Sequence, residues 1–258
     1  MRVLMVGDVV GRPGRAAVAQ ILPELRSELH LDYVVLNGEN AAAGRGLTEK
    51  TARELFDAGV DVLTSGNHIF NVREFIPVLD GELPILRPAN YPQGTPGRGV
   101  VQVGELTVIN LMGRVFMPTQ VDDPFRVVDA LLDEIGDRTT AVIDFHAEAT
   151  SEQQALAWYV DGRVAAVVGT HTHVPTADQR LLPGGTAVVT DLGMVGVLNS
   201  VIGDDVDSVI ERFVTGMPTR LPVAHGEEIV FYSVLIEIDE GTRRATDIQR
   251  IDRKCLLR

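Results

Sequence analysis

Two histidines one residue apart close the run Val167-Val168-Gly169-Thr170-His171-Thr172-His173. The β-branched stretch before them reads as a buried strand, and alternate residues of an extended segment project to the same side. Both imidazoles can therefore face one point, and imidazole binds zinc, iron, copper and nickel. Other strand-like runs end in similar residues. Asp8 follows Val3-Leu4-Met5-Val6-Gly7, Glu39-Asn40 follow the run from Tyr33, Asn67-His68 follow Val62-Leu63-Thr64-Ser65-Gly66, and His146 ends the run from Thr140. Taken singly, each has an ordinary structural use: Asp8 as a cap, Asn40 and Asn67 as turn residues, His146 as a hydrogen-bonded core residue. Five strand ends carrying such groups together point to one site, because the carboxyl edge of an α/β sheet is where ligands gather.

The mixture of carboxylates, amides and imidazoles suits two moderately hard ions better than a structural zinc held by four Cys or His. Two ions about 3.5–4 Å apart, bridged by a carboxylate, bind phosphate oxygens, activate a water or hydroxide and stabilise an in-line displacement. An imidazole beside them, such as His68, is suited to protonating the leaving oxygen.

These groups need a scaffold. Strands are expected over residues 2–8, 33–39, 61–65, 140–145 and 164–168, with a hairpin from 100–103 and 106–110. Helices are expected over 15–29 (interrupted or restarted at Pro23), 48–58, 71–79, 124–135 and 151–158, with Ser151 as the N-cap of the last. Beyond residue 179 the pattern is richer in strands, at 186–190, 228–238 and 245–251, with one helix over 205–214. Alternating β and α elements followed by a β-rich stretch predict a mixed sheet, or two, covered by helices. One domain over 1–258 is expected.

Acidic residues outnumber basic ones 36 to 23, a net charge of −13. That disfavours bulk DNA, RNA or an anionic membrane as partners. A small phosphorylated ligand stays compatible where metal ions supply positive charge. The single cysteine, Cys255, rules out an intramolecular disulfide and reads as an inert thiol. The apolar run at Val3–Val6 is too short for a signal-peptide core and no stretch reaches membrane-span length, so a cytoplasmic location is expected. Self-association into a homo-oligomer is compatible with the sequence. No His-Glu-x-x-His occurs, which sets aside a metalloprotease helix. An amidohydrolase barrel carries His-x-His on its first strand, where this chain has Asp8.

Gly7-Asp8, Gly66-Asn67-His68, His146 and Gly169-Thr170-His171-Thr172-His173 resemble the motif series of calcineurin-like metallophosphoesterases. The fuller set is similar to the bacterial YmdB-like branch. It includes Gly7-Asp8-Val9-Val10-Gly11, Asn37-Gly38-Glu39-Asn40-Ala41, Phe145-His146-Ala147-Glu148-Ala149-Thr150 and Thr190-Asp191-Leu192-Gly193-Met194. The resemblance implies a four-layer α/β/β/α sandwich, two mixed β-sheets flanked by helices, with two metal ions at the strand ends. It implies cyclic-nucleotide phosphodiesterase activity, 2′,3′-cyclic mononucleotides being the favoured substrates. By the same resemblance Glu39 bridges the ions, Asp8, Asn40 and His173 complete one site, Asn67, His146 and His171 complete the other, and His68 is the general acid.

Two positions depart from the wider superfamily. Val10 stands where a histidine is usual, and Glu39-Asn40 where an aspartate is usual, so Asn40 is expected to replace the missing ligand. An oxygen in place of a nitrogen favours iron or manganese, with zinc also accommodated. A phosphomonoesterase or nucleotidase on the same site, and a nucleotide-sensing regulator without turnover, remain alternative readings. Arg12, Arg15 and Arg114 are candidate phosphate contacts or plain surface charges, Gly44-Arg45-Gly46 is a flexible loop, and Glu148 and Thr150 are candidate supports for His146.

Overall fold

The computed structural model describes residues 1–136 and 139–257. The central strands of its two main sheets are buried on both faces because both faces are covered, the pattern expected of largely parallel sheets. In β1 (Arg2–Val6), Val3 and Met5 face a second sheet while Leu4 and Val6 face helices. The chain continues through β2 (Asp8–Val9), α1 (Gly11–Glu28), β3 (Tyr33–Asn37), α2 (Glu49–Asp57), β4 (Val62–Thr64) and a 3-10 helix (Arg73–Asp80). Next come β5 (Val100–Val103), β6 (Leu106–Met112), α3 (Pro124–Ile135), β7 (Thr140–His146), α4 (Thr150–Tyr159), β8 (Ala166–Thr170), β9 (Arg180–Leu181), β10 (Ala187–Val189) and β11 (Met194–Val197). The last elements are α5 (Val206–Thr215), β12 (Glu228–Phe231), β13 (Ser233–Asp239), β14 (Arg244–Arg250) and β15 (Arg253–Leu256).

The first sheet has the order β14-β13-β1-β3-β4 and the second β5-β6-β7-β8-β10-β9. Val3, Met5, Val35 and Val62 of the first pack against Val108, Val142, Val168 and Val189 of the second. Outside the first lie Val18, Leu22 and Leu25 of α1 and Leu55 of α2. Outside the second lie Val128 of α3 and Leu156 of α4. This is the four-layer α/β/β/α sandwich that the sequence motifs imply. A third, smaller sheet, β15-β12-β11-β2, adds to it beside α1. In the described residues no helix is long and apolar enough to cross a membrane.

Five local expectations need correction. The first strand stops at Val6, and Asp8 belongs to β2 in the third sheet. Gly7 makes that crossing, and a Cβ there would lie 1.9 Å from the Gly193 carbonyl oxygen. Pro23 does not interrupt α1, whose buried face outweighs the lost hydrogen bond. Pro77, lacking an N–H, sits in a segment of 3-10 and not α geometry. Residues 228–238 form two strands in different sheets, broken at Tyr232. Ser151 is not an N-cap: α4 starts at Thr150 with Ala149 in the cap position.

Candidate metal centre

The parallel strands β3, β4, β7 and β8 all end at one edge of the sandwich. Around that edge His146 Nε2 lies 3.0 Å from His171 Nδ1, 3.1 Å from Asn67 Oδ1 and 3.3 Å from Glu39 Oε1. On the other side His173 Nε2 lies 3.1 Å from the Asn40 side-chain amide and 3.9 Å from Asp8 Oδ1. The Glu39 carboxylate stands between these groups, taking a hydrogen bond from Asn40 on Oε1 and from the His68 amide on Oε2. All eight residues singled out in the sequence are therefore neighbours here. Five of them, Glu39, Asn40, His68, His171 and His173, help to line a cavity of about 290 Å³.

The donor set fits divalent cations. Glu39, His146 and His171 each offer a ligand atom, and these atoms lie within 4.8 Å of one another. Asp8 Oδ1 is buried without a hydrogen-bond partner, an arrangement that is costly unless a cation faces it. Each ring also has an outward partner that leaves the other nitrogen turned inward: Thr170 for His146, Glu148 for His171 and the Ile202 carbonyl for His173. His171 (φ 112°) and His173 (φ 65°) adopt left-handed backbone. Such conformations cost about 1–3 kcal/mol each and survive only where the surroundings impose them.

Burial opposes both charges of the Glu39–His146 pair, but their mutual attraction prevails: Glu39 is held at about 2 and His146 rises to about 9. Burial, then the charge of His146, drives His171 down to about 3. Burial pushes the Asp8 carboxyl well above its usual range, with His146 acting against the shift and Glu39 adding to it. Burial also lowers His68, opposed by Glu39. Asn71 donates to His68 Nδ1 at 3.1 Å, which leaves Nε2 to carry the proton of this cavity-lining ring.

A family model described as YmdB-like protein matches residues 4–251. The chain belongs to the YmdB-like family. It is 49% identical over 256 residues to the 2′,3′-cyclic-nucleotide 2′-phosphodiesterase of Bacillus subtilis, covering 97% of this chain and 96% of that protein. A Thermus thermophilus crystal structure of a hypothetical protein superposes with a TM-score of 0.92 at 44% identity, covering 99% of this chain and 100% of the other. The crystal structure of a Mycoplasma pneumoniae phosphatase gives 0.93 at 32% identity, covering 99% and 94%. The chain is thus an enzyme of the phosphoric ester hydrolase class, with a metallophosphoesterase fold that implies divalent metal ions.

Within this YmdB-like site the weaker candidates sort themselves. Val10 lines the cavity as an apolar wall, and Asn40 faces His173. Arg12 is exposed on α1 and Arg15 is tied to Glu54 at 2.7 Å, so neither lines the cavity. Arg114 reaches Asp123 at 3.7 Å, while the buried Glu152 carboxylate accepts its amide. Glu148 supports His171, not His146, because the chain turns away after β7. Thr150 opens α4 and does not contact His146 either. Arg45, read from the sequence only as part of a loop, lines the cavity. Its flanking Gly44 (φ 91°) and Gly46 (φ 80°) were the available signal.

Asp191 was quoted only as part of a motif, and it organises the His-x-His turn. Its buried carboxylate accepts the Thr172 amide at 3.0 Å and the Gly193 amide at 2.7 Å, and burial pushes it up to about 7. Thr176 Oγ1 accepts the Asp191 amide at 2.9 Å and donates to Asp178 at 2.9 Å. Burial of Asp178 is outweighed by the Thr190 amide and by Thr176, so its carboxyl sits below the usual range. A carboxyl lowered on folding contributes stability that is complete above its unfolded pKa near 4 and is lost as pH falls through the lower folded value. Asp178→Asn is expected to cost about 1 kcal/mol at pH 7, discounted for partial exposure. Urea unfolding at pH 7 and pH 3 checks this: the gap must shrink in acid, and an equal gap at both pH values removes the charge from the explanation.

Proposed function

We propose that this chain is a metal-dependent phosphodiesterase that hydrolyses cyclic nucleotides, 2′,3′-cyclic mononucleotides first among them, at a two-ion centre with His68 as general acid. The similarity to the Bacillus subtilis enzyme along nearly the whole of both chains carries the reading of the substrate. In this reading Glu39 would be shared by the two ions, Asp8, Asn40 and His173 would hold one, and Asn67, His146 and His171 would hold the other. The two groups of converging donors on either side of Glu39 support that partition. Bound ions would supply Lewis acidity toward the phosphoryl oxygens and a water or hydroxide of lowered pKa.

His68 keeps a proton on Nε2 through its bond from Asn71 and delivers it to the departing ribose oxygen. Iron or manganese suits the oxygen-containing set best, and zinc is accommodated. Site residues drawn from position 8 to position 173 support treating residues 1–258 as one domain. A cytoplasmic setting fits a nucleotide-derived substrate.

A second reading, a phosphomonoesterase, is favoured by the Mycoplasma pneumoniae relative, itself described as a phosphatase. The test is hydrolysis of 2′,3′-cyclic AMP and of simple phosphomonoesters by protein loaded separately with manganese, iron or zinc, with metal content measured in parallel. Cleavage of the cyclic diester that is lost in Asn67→Ala supports the proposal. Cleavage of monoesters alone supports the second reading, and two bound ions without turnover of either substrate leave a nucleotide sensor.

A further inference from the structure

The inner faces of the two main sheets are apolar until they near the catalytic edge, where they turn polar. Val35, Val62, Val142 and Val168 belong to the packed interior. Two residues further along each strand stand Asn37, Thr64, Asp144 and Thr170, on the same face because side chains alternate. Asn37 is opposite Thr64 in the first sheet, and Thr170 is opposite His146 in the second. All four are buried, Asp144 to 1% exposure.

From this cluster we infer that Asp144, acting through Thr170, is a positioning residue that fixes the ring tautomer of His146 and fastens the two sheets beneath the centre. The proposal rests on the metal-centre reading above. It follows from counting protons. Thr170 Oγ1 has one proton and donates it to Asp144 Oδ1 at 2.7 Å. The same oxygen accepts from Asn37 Nδ2 at 3.2 Å, so toward His146 Nδ1, 3.0 Å away, it can only accept. His146 must then carry a proton on Nδ1, so that when a cation replaces the proton on Nε2 it is the Nε2 lone pair, beside Glu39, Asn67 and His171, that is offered to it.

Asp144 enforces the direction, because without it Thr170 is free to donate to the ring instead. Its other oxygen accepts from Thr64 Oγ1 and from Asn37 Nδ2 at 3.2 Å, both on the opposite sheet. Asn37 Oδ1 in turn accepts the Glu39 amide at 3.1 Å, so one network sets the histidine and the carboxylate together. Both protons of the Asn37 amide and the Thr170 hydroxyl are thereby engaged.

Three variants test this: Thr170→Val, which keeps the shape and loses the hydroxyl, Thr170→Ser, which keeps the hydroxyl, and Asp144→Asn. The readouts are the zinc dissociation constant by chelator competition and two-bond 1H–15N spectra of the histidine rings in zinc-loaded protein. Thr170→Val is expected to weaken zinc binding at least about tenfold, the usual cost of losing such a partner. The Nδ1–H signature of His146 should disappear with it. Thr170→Ser should restore both. Should Thr170→Val fail to fold, as judged by melting of the metal-free protein, Asp144→Asn carries the same comparison. Parental zinc affinity and an unchanged His146 spectrum in folded Thr170→Val or Asp144→Asn would overturn the relay alone. A parent protein that binds no zinc, manganese or iron would instead overturn the centre on which it rests.

Discussion

Replacing His68 by alanine is expected to lower kcat on 2′,3′-cyclic AMP by about 10²–10⁴-fold, the range for losing a positioned general acid. Bound metal should stay at the parental level, since the His68 side chain is not among the proposed ligands. The loss should depend on the leaving group. A ribose alkoxide needs a proton as it departs, whereas p-nitrophenolate leaves without one. Bis-p-nitrophenyl phosphate turnover is therefore expected to fall much less. Steady-state kinetics on both substrates, with metal content determined on the same samples, checks this. Equal losses on both would mean that the ring positions substrate or ions and gives up no proton. The alkaline limb of the parental rate profile should also vanish in the variant, because an acid works only while protonated.

Gly66→Ala is expected to be nearly as damaging, for a reason of shape. A Cβ at this position would lie 2.1 Å from Cδ2 and 2.2 Å from Nε2 of His146. The glycine that precedes Asn67 is where the backbone lies against the His146 ring. A methyl group here must push the ring away from Glu39 and Asn67. Overpacking of this kind costs about 1–3 kcal/mol. The variant should therefore fold with a lowered melting temperature when metal-free and, after metal loading, retain little metal and at most about 1% of parental kcat/KM, as the displaced ligand geometry would demand. A variant that keeps full metal content and turnover would show that this edge can relax around the methyl. Gly169→Ala makes a sharper contrast: its Cβ would meet the Thr190 carbonyl oxygen at 1.8 Å, a backbone atom that has no rotamer to escape into.

Much of this candidate centre is readable from the chain because each proposed ligand follows an apolar run, and a buried run that ends in a polar residue marks a strand end. Glu39, Asn67, His146 and the His171/His173 pair are all found that way. The third sheet is not, since β2 has two residues and its partner β11 lies almost two hundred positions away. Nothing local announces such a pairing. The break at Tyr232 is hidden for the same reason, as an apolar run does not say when it changes sheets. Pro23 misleads because the rule against proline in helices is a local one, and packing against the first sheet overrides it. The Ile202 carbonyl on His173 leaves no trace in residue type at all. Asp144 does leave one: an acid at an inward position of an otherwise apolar strand is a costly residue whose presence asks for a reason.

The pairing of β1 carries a consequence for synthesis. Val3 lies opposite Ile236, and β1 takes its other neighbour, β3, from residues 33–37. As the chain leaves the ribosome at about 5–20 residues per second, the first strand has one open edge for roughly ten seconds or more. Asp8 likewise waits for His171, whose amide it accepts at 3.2 Å. The candidate site residues, from Asp8 to His173, are all made before β13, the strand that closes the open edge of β1, has arrived. A chain truncated before β13 would carry all eight of them and leave the first strand paired on one side only, with β3.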